Sequence, residues 1–314
     1  MLLALLACVA GLVILVWSAD RFVGGAAGLA LRLGMTPMTI GLTLVAFGTS
    51  APEILVSATA ALTGSSDLAI GNALGSNIAN MGMVLAVTLL VRPILITPGT
   101  RQRDIPAYLL VAALTGLVLL DGTLARGEGL VLLGAMCLMG WLMWQFRQRD
   151  ALEEPELPAH GSSALKDWGL FITGLVMLLV SARMLVWGAV ELALSLGVSE
   201  TIIGLTLVAA GTSLPELAAS VAAALRGHAD LAIGNIIGSN IMNLVAVLPV
   251  PALLAPGVMD PALVTRDFPA MLVLSAALLI LVLIAGRRQL GRAAGLVLLA
   301  GYAGYLTLLA TQHL

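Results

Sequence analysis

The chain has 314 residues, 60% of them hydrophobic and 10% charged, with a formal net charge of −2 and a mean hydropathy of +1.07. Soluble domains carry about a quarter charged residues, so a soluble enzyme or nucleic-acid-binding module is excluded and a polytopic helical membrane protein is implied. The two cysteines, Cys8 and Cys137, lie in apolar runs and fit neither a disulfide framework nor a metal site.

Crossing a ~30 Å hydrocarbon core takes about 20 apolar residues as helix. Breaks at glycine, proline and charged residues predict ten such spans. The first, 1–30, is apolar from its start and lacks the basic leader and cleavage site of a removable signal. Spans follow at 38–62, 68–91, 104–121 and 128–146. Residues 147–165 form a polar linker holding Glu153, Glu154, Pro155, Glu156 and Pro158. The second set runs 166–195, 201–225, 231–254, 266–285 and 292–311. The expected fold is all-α: a first five-helix repeat over 1–146, the linker over 147–165, and a second repeat over 166–314.

Five spans per half make the second half enter the membrane from the opposite side, an inverted repeat. The long first spans imply tilt, and Arg21 and Arg183 within them read as side chains snorkelling to an interface. Basic residues set the orientation. Arg32, Arg92, Arg101, Arg103, Arg147, Arg149, Lys166, Arg226, Arg287, Arg288 and Arg292 fall on one side, and only Arg126 and Arg266 on the other. This places the linker in the cytoplasm and both termini outside it, in a plasma or inner membrane.

The chemistry is concentrated in two stretches. Gly41–Asn80 and Gly204–Asn243 align without a gap, with 27 of 40 positions identical. Each holds GTS-x-PE (Gly48–Glu53 and Gly211–Glu216) and DLAIGN-x-x-GSNI-x-N (Asp67–Asn80 and Asp230–Asn243). Pro52 cannot donate to the Gly48 carbonyl and crowds the preceding turn. The carbonyls around Ala46–Thr49 should therefore leave the helix ladder, which the bilayer tolerates only inside protein or beside a polar cavity. Ala46, Thr49, Glu53 and Ser57 share a helical face, as do Ala209, Thr212, Glu216 and Ser220. Asn72, Ser76 and Asn80 form a second stripe, repeated by Asn235, Ser239 and Asn243. Asn77 and Asn240 lie off it.

Oxygen ligands without histidine or cysteine suit a hard cation such as Ca²⁺ or Na⁺. Two intramembrane glutamates also balance a divalent charge. The bland alternative is a pair of protonated glutamates bonded to neighbouring helices, which a doubled motif makes hard to sustain. Asp67 and Asp230 read as helix N-caps, and Asp20 and Glu191 as helix-end residues. His160, His228 and His313 fall in the linker, a loop and the terminus. An intramembrane hydrolase using Ser50 or Ser213 lacks a base in either motif. A passive cation channel is a further alternative, tested by whether flux needs a counter-ion.

The doubled motif resembles the α-repeats of the cation/calcium antiporter superfamily, above all sodium/calcium exchangers. The resemblance implies a secondary antiporter, not an enzyme, exchanging Ca²⁺ for Na⁺ by alternating access. The ions would be substrates, with no cofactor, and a monomer would suffice. Spans 1 and 6 would slide against the ion-holding spans 2, 3, 7 and 8. By matching motif, Glu53 and Glu216 would be the acidic ligands, with Thr49 and Thr212 adding carbonyls and hydroxyls. Ser50, Ser76, Ser213 and Ser239, with the carbonyls of Ala46 and Ala209, would complete Na⁺ sites, and Asn80 would face Asn243. One departure stands out: many sodium/calcium exchangers have Asp where this chain has Asn243. Branches with Asn there include cation/proton exchangers and exchangers that accept Li⁺, which makes H⁺ or Li⁺ an alternative coupling ion.

Overall fold

A computed structural model describes residues 1–153, 163–197 and 209–312, and these are almost entirely helical. The first half contains α1 (Leu2–Arg32), α2 (Pro37–Thr49), α3 (Ala51–Leu62), α4 (Ser66–Val91), α5 (Thr100–Leu119) and α6 (Arg126–Glu153). The second contains α7 (Ala164–Ser195), α8 (Ala209–Thr212), α9 (Leu214–Leu225), α10 (Ala229–Leu254), α11 (Leu263–Ala285) and α12 (Arg292–Gln312). Among the described residues, eight helices are long and apolar enough to cross a membrane, and α2 with α3 makes a ninth if that bent pair is one span. The beginning of the predicted 201–225 span, together with His160 and His313, lies outside the described residues. Helix α6 continues into the segment expected as linker, ending at Glu153.

Helices α4 and α10 form the centre. Their most apolar windows are 72% and 78% buried, against 11% for Arg126–Met143 of α6, whose apolar surface faces outward. Leucine and valine exposed on α1, α5, α7 and α11 are what a lipid-facing surface requires.

Around this centre α1 and α7 pack as a long antiparallel pair. Gly25 lies against the Phe171 backbone and Gly174 against the Phe22 backbone, so closely that a methyl group at either would collide with main chain. Small residues bring lipid-embedded helices into such contact, where dispersion replaces the missing hydrophobic drive. The Phe22 and Phe171 rings meet at 4.8 Å. At one end Arg32 bonds Asp167 at 3.1 Å. Asp20, expected at a helix end, instead lies within α1 and pairs with Arg226 at the end of α9. Arg21 sits over the Trp17 ring, 4.1 Å from its centroid.

Two short antiparallel ribbons tie the halves together. β1 (Ile94–Leu95) pairs with β4 (Gln289–Leu290), and β2 (Thr123–Leu124) with β3 (Gly257–Val258). Each ribbon takes one strand from each half. The loop arginines counted for orientation also cap helix ends across the halves. Arg92 donates to the carbonyls of Ala224 and Leu225, Arg292 to Leu90, Arg101 to Gly286 and Arg126 to Leu253.

The N-cap expectation for Asp67 and Asp230 is corrected. The residues at those positions are Ser65 and His228, neither making a side-chain cap bond, and the aspartates fall inside the first turn. Asp67 Oδ1 instead accepts the backbone N–H of Asp260 at 3.0 Å, joining α4 to the loop before α11. An acid in the first turn still complements the helix dipole without bonding to it.

Candidate functional site

The expected break in the second span is present. Helices α2 and α3 meet at Ser50 with a bend of 42°. Ser50 adopts φ −83°, ψ 3° and Ser213 adopts φ −87°, ψ 6°, so the two halves break their helices the same way. This sparsely populated bridge region recurs at active sites. Proline then restarts each helix within its first turn, where its missing N–H does no harm. Glu53 and Glu216 thus sit in the first turns of α3 and α9, at the positive ends of two half-helices.

The backbone accounting differs from expectation at one point. The Ala46 carbonyl is not released; it accepts the Ser50 N–H at 2.9 Å and the Thr49 hydroxyl at 3.3 Å. Gly48 is the residue whose helical donor Pro52 removes. Before the break, the π-helical turn Gly41–Val45 carries an i→i+5 bond from Ala46 N to Gly41 O. Further π turns begin at Asn80 and Asn243. Single π turns inside α-helices recur at functional sites because they shift the helical face by about one residue.

Ala46, Thr49, Ser50, Glu53, Ser76, Asn80, Ser213, Glu216, Ser239 and Asn243 are buried, while Asn72 and Thr212 are half-buried. Ala209 begins α8. Thr49 Oγ1 reaches Asn235 Oδ1 at 3.1 Å and Ser239 Oγ at 3.3 Å, joining the first break to α10. Ser50 Oγ donates to Glu216 Oε1 at 3.4 Å. The first motif therefore contacts residues of the second. Helix α10 can approach α2 this closely because Gly41 meets Gly234: a Cβ on Gly234 would stand 2.6 Å from the Met38 carbonyl oxygen.

Both glutamates also have an anchored main chain. Asn72 Nδ2 donates to the Glu53 carbonyl (3.1 Å) and to Ser57 Oγ (3.0 Å). Asn235 Nδ2 does the same for Glu216 (3.4 Å) and Ser220 (2.9 Å). Asn72, Asn235, Ser57 and Ser220 hold the helix pairs together, and Ser57 further donates to the Ala69 carbonyl.

What remains free is mostly oxygen. Both carboxylate oxygens of Glu53, Oε2 of Glu216, and Oδ1 of Asn80, Asn240 and Asn243 are buried without a hydrogen-bond partner, as is the Ser213 hydroxyl. Buried acceptors are normally satisfied, and each exception needs an explanation. Ser76 is buried one turn before Asn80. No group of three or more His, Cys, Asp or Glu that could hold a metal ion occurs among the described residues, and the buried carboxylates of this cluster are those of Glu53 and Glu216.

Beside the cluster lies a cavity of about 430 Å³. Pro52, Gly211, Thr212 and Pro215 form one wall, and Arg183, Val186 and Trp187 of α7 form another. Arg183, read from sequence as snorkelling, stands at this cavity. Sequence reasoning missed one central residue. Asn77, off the stripe, donates to the Asn240 carbonyl at 3.2 Å and accepts from Asn243 Nδ2 at 3.1 Å. Its recurrence in both copies of GSNI-x-N was the available signal.

A helical membrane protein with buried, acceptor-rich oxygens beside broken half-helices belongs to the class that handles hard cations. The comparisons with known proteins make this specific. The sodium/calcium exchanger protein family profile matches residues 3–145 and 166–311, and the chain belongs to that family of membrane antiporters. It is 46% identical over 316 residues to CaxA of Alkalimonas amylolytica, provisionally named an antiporter, covering 98% of this chain and 99% of the relative. It is 41% identical over 322 residues to the inner membrane protein YrbG of Escherichia coli K12, covering 98% and 97%. Among solved structures it resembles the sodium-calcium exchanger NCX_Mj, soaked with Na⁺ and Sr²⁺, with a TM-score of 0.83 and 33% identity over 98% of both chains. The family is one of transporters rather than enzymes, and its substrates are Ca²⁺ and Na⁺.

Proposed function

We propose that this protein exchanges Ca²⁺ for Na⁺ across the inner membrane by alternating access. The observation that carries the reading is the cluster of buried acceptors, both carboxylate oxygens of Glu53, Oε2 of Glu216 and Oδ1 of Asn80 and Asn243, that lack a hydrogen-bond partner. A hard cation satisfies such a set, and Ca²⁺ takes 6–8 oxygens in flexible geometry. Glu53 and Glu216 are the acidic ligands. Thr49, Thr212, Asn80 and Asn243 are the neutral ones around the centre, and Ser50, Ser76, Ser213, Ser239 and Ala209 flank them as Na⁺ ligands, while the Ala46 carbonyl, already accepting two hydrogen bonds, drops out of the set. Because the two ions share the glutamates, binding of one displaces the other.

In this reading ten spans form two inverted halves, 1–146 and 166–314, with the bent α2–α3 as one span and α9 as part of another. The linker is cytoplasmic and both termini lie outside. The antiparallel pair α1 and α7 slides as a unit, and the cavity against Thr212 is one access route. Membership of a sodium/calcium exchanger family and likeness to NCX_Mj support this.

One observation favours a second reading, Ca²⁺/H⁺ exchange. Both repeats end in Asn, so the buried centre holds two carboxylates, Glu53 and Glu216, and protons neutralise buried carboxylates as Na⁺ does. Proteoliposome ⁴⁵Ca²⁺ flux separates the two. Uptake driven by an outward Na⁺ gradient at equal pH is the expected result. Uptake driven only by a pH gradient, with Na⁺ inert, would replace the first reading with the second. Flux without any counter-ion would indicate a channel.

A further inference from the structure

Helices α4 and α10 carry the same GSNI-x-N ending, yet their terminal carboxamides are held differently. Asn243 donates Nδ2 to Asn77 Oδ1 at 3.1 Å. Asn77 is itself fixed, its Nδ2 donating to the Asn240 carbonyl at 3.2 Å with Met271 Sδ at 3.4 Å. Asn240, the counterpart of Asn77, instead donates back to the Ile236 carbonyl of its own helix at 2.9 Å. Asn80, the counterpart of Asn243, has neither end of its carboxamide bonded.

A carboxamide has one accepting and one donating end. Only the accepting end ligates a cation; the donating end repels it. With its donor committed to Asn77, Asn243 leaves Oδ1 as its one free end, buried and unpartnered. We propose that Asn77 is a positioning residue: it fixes the Asn243 carboxamide with oxygen as the free end, making Asn243 a Ca²⁺ ligand in place of a carboxylate. This rests on the proposed cation site, and it assigns the residue that sets affinity there. An Asp at position 243 would need no such restraint, because either of its ends is an oxygen.

Equilibrium ⁴⁵Ca²⁺ binding to purified protein, paired with flux in proteoliposomes, tests this as a double-mutant cycle. Asn77→Ala should raise the half-saturating Ca²⁺ concentration about tenfold, roughly 1.4 kcal/mol, with the maximal flux rate changed less than twofold. In the Asn243→Asp background the same substitution should shift half-saturation less than twofold. An equal shift in both backgrounds would show that Asn77 merely supports the helix and would overturn the proposal, as would no shift in the parent. If Asn77→Ala does not fold, Asn77→Ser, whose hydroxyl is too short to bridge, carries the same expectation. Ca²⁺ binding without ion-driven exchange would sink the antiport reading while leaving this cycle decisive; absent Ca²⁺ binding in the parent would sink both.

Discussion

The clusters around Glu53 and Glu216 arise from nearly the same sequence, and comparing them separates what a repeat preserves from what it does not. Contacts made within one half recur: Asn72 to Glu53 and Ser57 matches Asn235 to Glu216 and Ser220, and the helix breaks at Ser50 and Ser213 agree within a few degrees. Contacts between the halves do not all recur. Asn77 crosses to Asn240 and Asn243, whereas Asn240 turns back on its own helix. The surroundings that meet across the centre are not copies of each other. Met271 accepts from Asn77, while Tyr108, the residue aligned with it, is buried with its hydroxyl 2.7 Å from Ser275 Oγ. Local sequence sets the first kind of contact, and the opposing half sets the second.

The largest expected effect tests whether the two glutamates are equivalent. Glu53→Gln and Glu216→Gln should each reduce Na⁺-driven ⁴⁵Ca²⁺ flux by more than about a hundredfold, because each removes half the charge balancing a divalent ion. Full flux in either variant would break the paired-carboxylate reading. Next comes the α1–α7 contact. Gly174→Leu forces a side chain into the Phe22 backbone and should destabilise the protein by about 1–3 kcal/mol, the usual range for overpacking. The check is the thermal unfolding midpoint in detergent.

A smaller pair sharpens the comparison. Ser57→Ala and Ser220→Ala each remove an acceptor from an asparagine, half-buried Asn72 and buried Asn235, and should cost about 1 kcal/mol apiece. The loss at Ser57 should be the greater, since it also donates to Ala69. Equal losses would show that this extra bond adds nothing.

Two surface tests sit at the bottom of the scale. Asp20→Asn breaks a pair whose side chains are 56% and 39% exposed, so the change should stay within about 1 kcal/mol. His228, in the loop before α10, is held below its ordinary value by burial and by the Arg226 charge. Its neutral form is therefore the one the fold favours at pH 7, and stability falls as the pH drops below about 6.5, where the unfolded chain takes up the proton. The midpoint of His228→Ala should fall less between pH 7.5 and 5.5 than that of the parent.

Much of this was legible in the chain. Pro52 and Gly48 announced the bend, and the i, i+4, i+8 spacing of Asn72, Ser76 and Asn80 announced a polar stripe. The spacing did not reveal that the members of a stripe divide their work. Asn72 is consumed in holding Glu53, while Asn80 keeps both ends free. Nor did it reveal that π turns begin at Asn80 and Asn243, changing the helical phase beyond them. Asp67 looked like a cap because its partner, the Asp260 N–H, is 193 residues away and no local pattern encodes it. Ala46 looked freed because the expectation spread the break over the whole turn Ala46–Thr49, whereas a proline removes the donor of one carbonyl, here that of Gly48.

The two ribbons bear on how the chain is made. A strand from each half enters both β1–β4 and β2–β3. When the first half leaves the ribosome, its strands have no partner, and Ser50 has no Glu216 to bond. At ~5–20 residues per second, the rest of the chain takes on the order of ten to thirty seconds to arrive. Through that interval the nascent half must wait in the bilayer with unmatched edges. Two separately expressed halves should meet the same requirement, each surviving in the membrane only when its complement is synthesised alongside it.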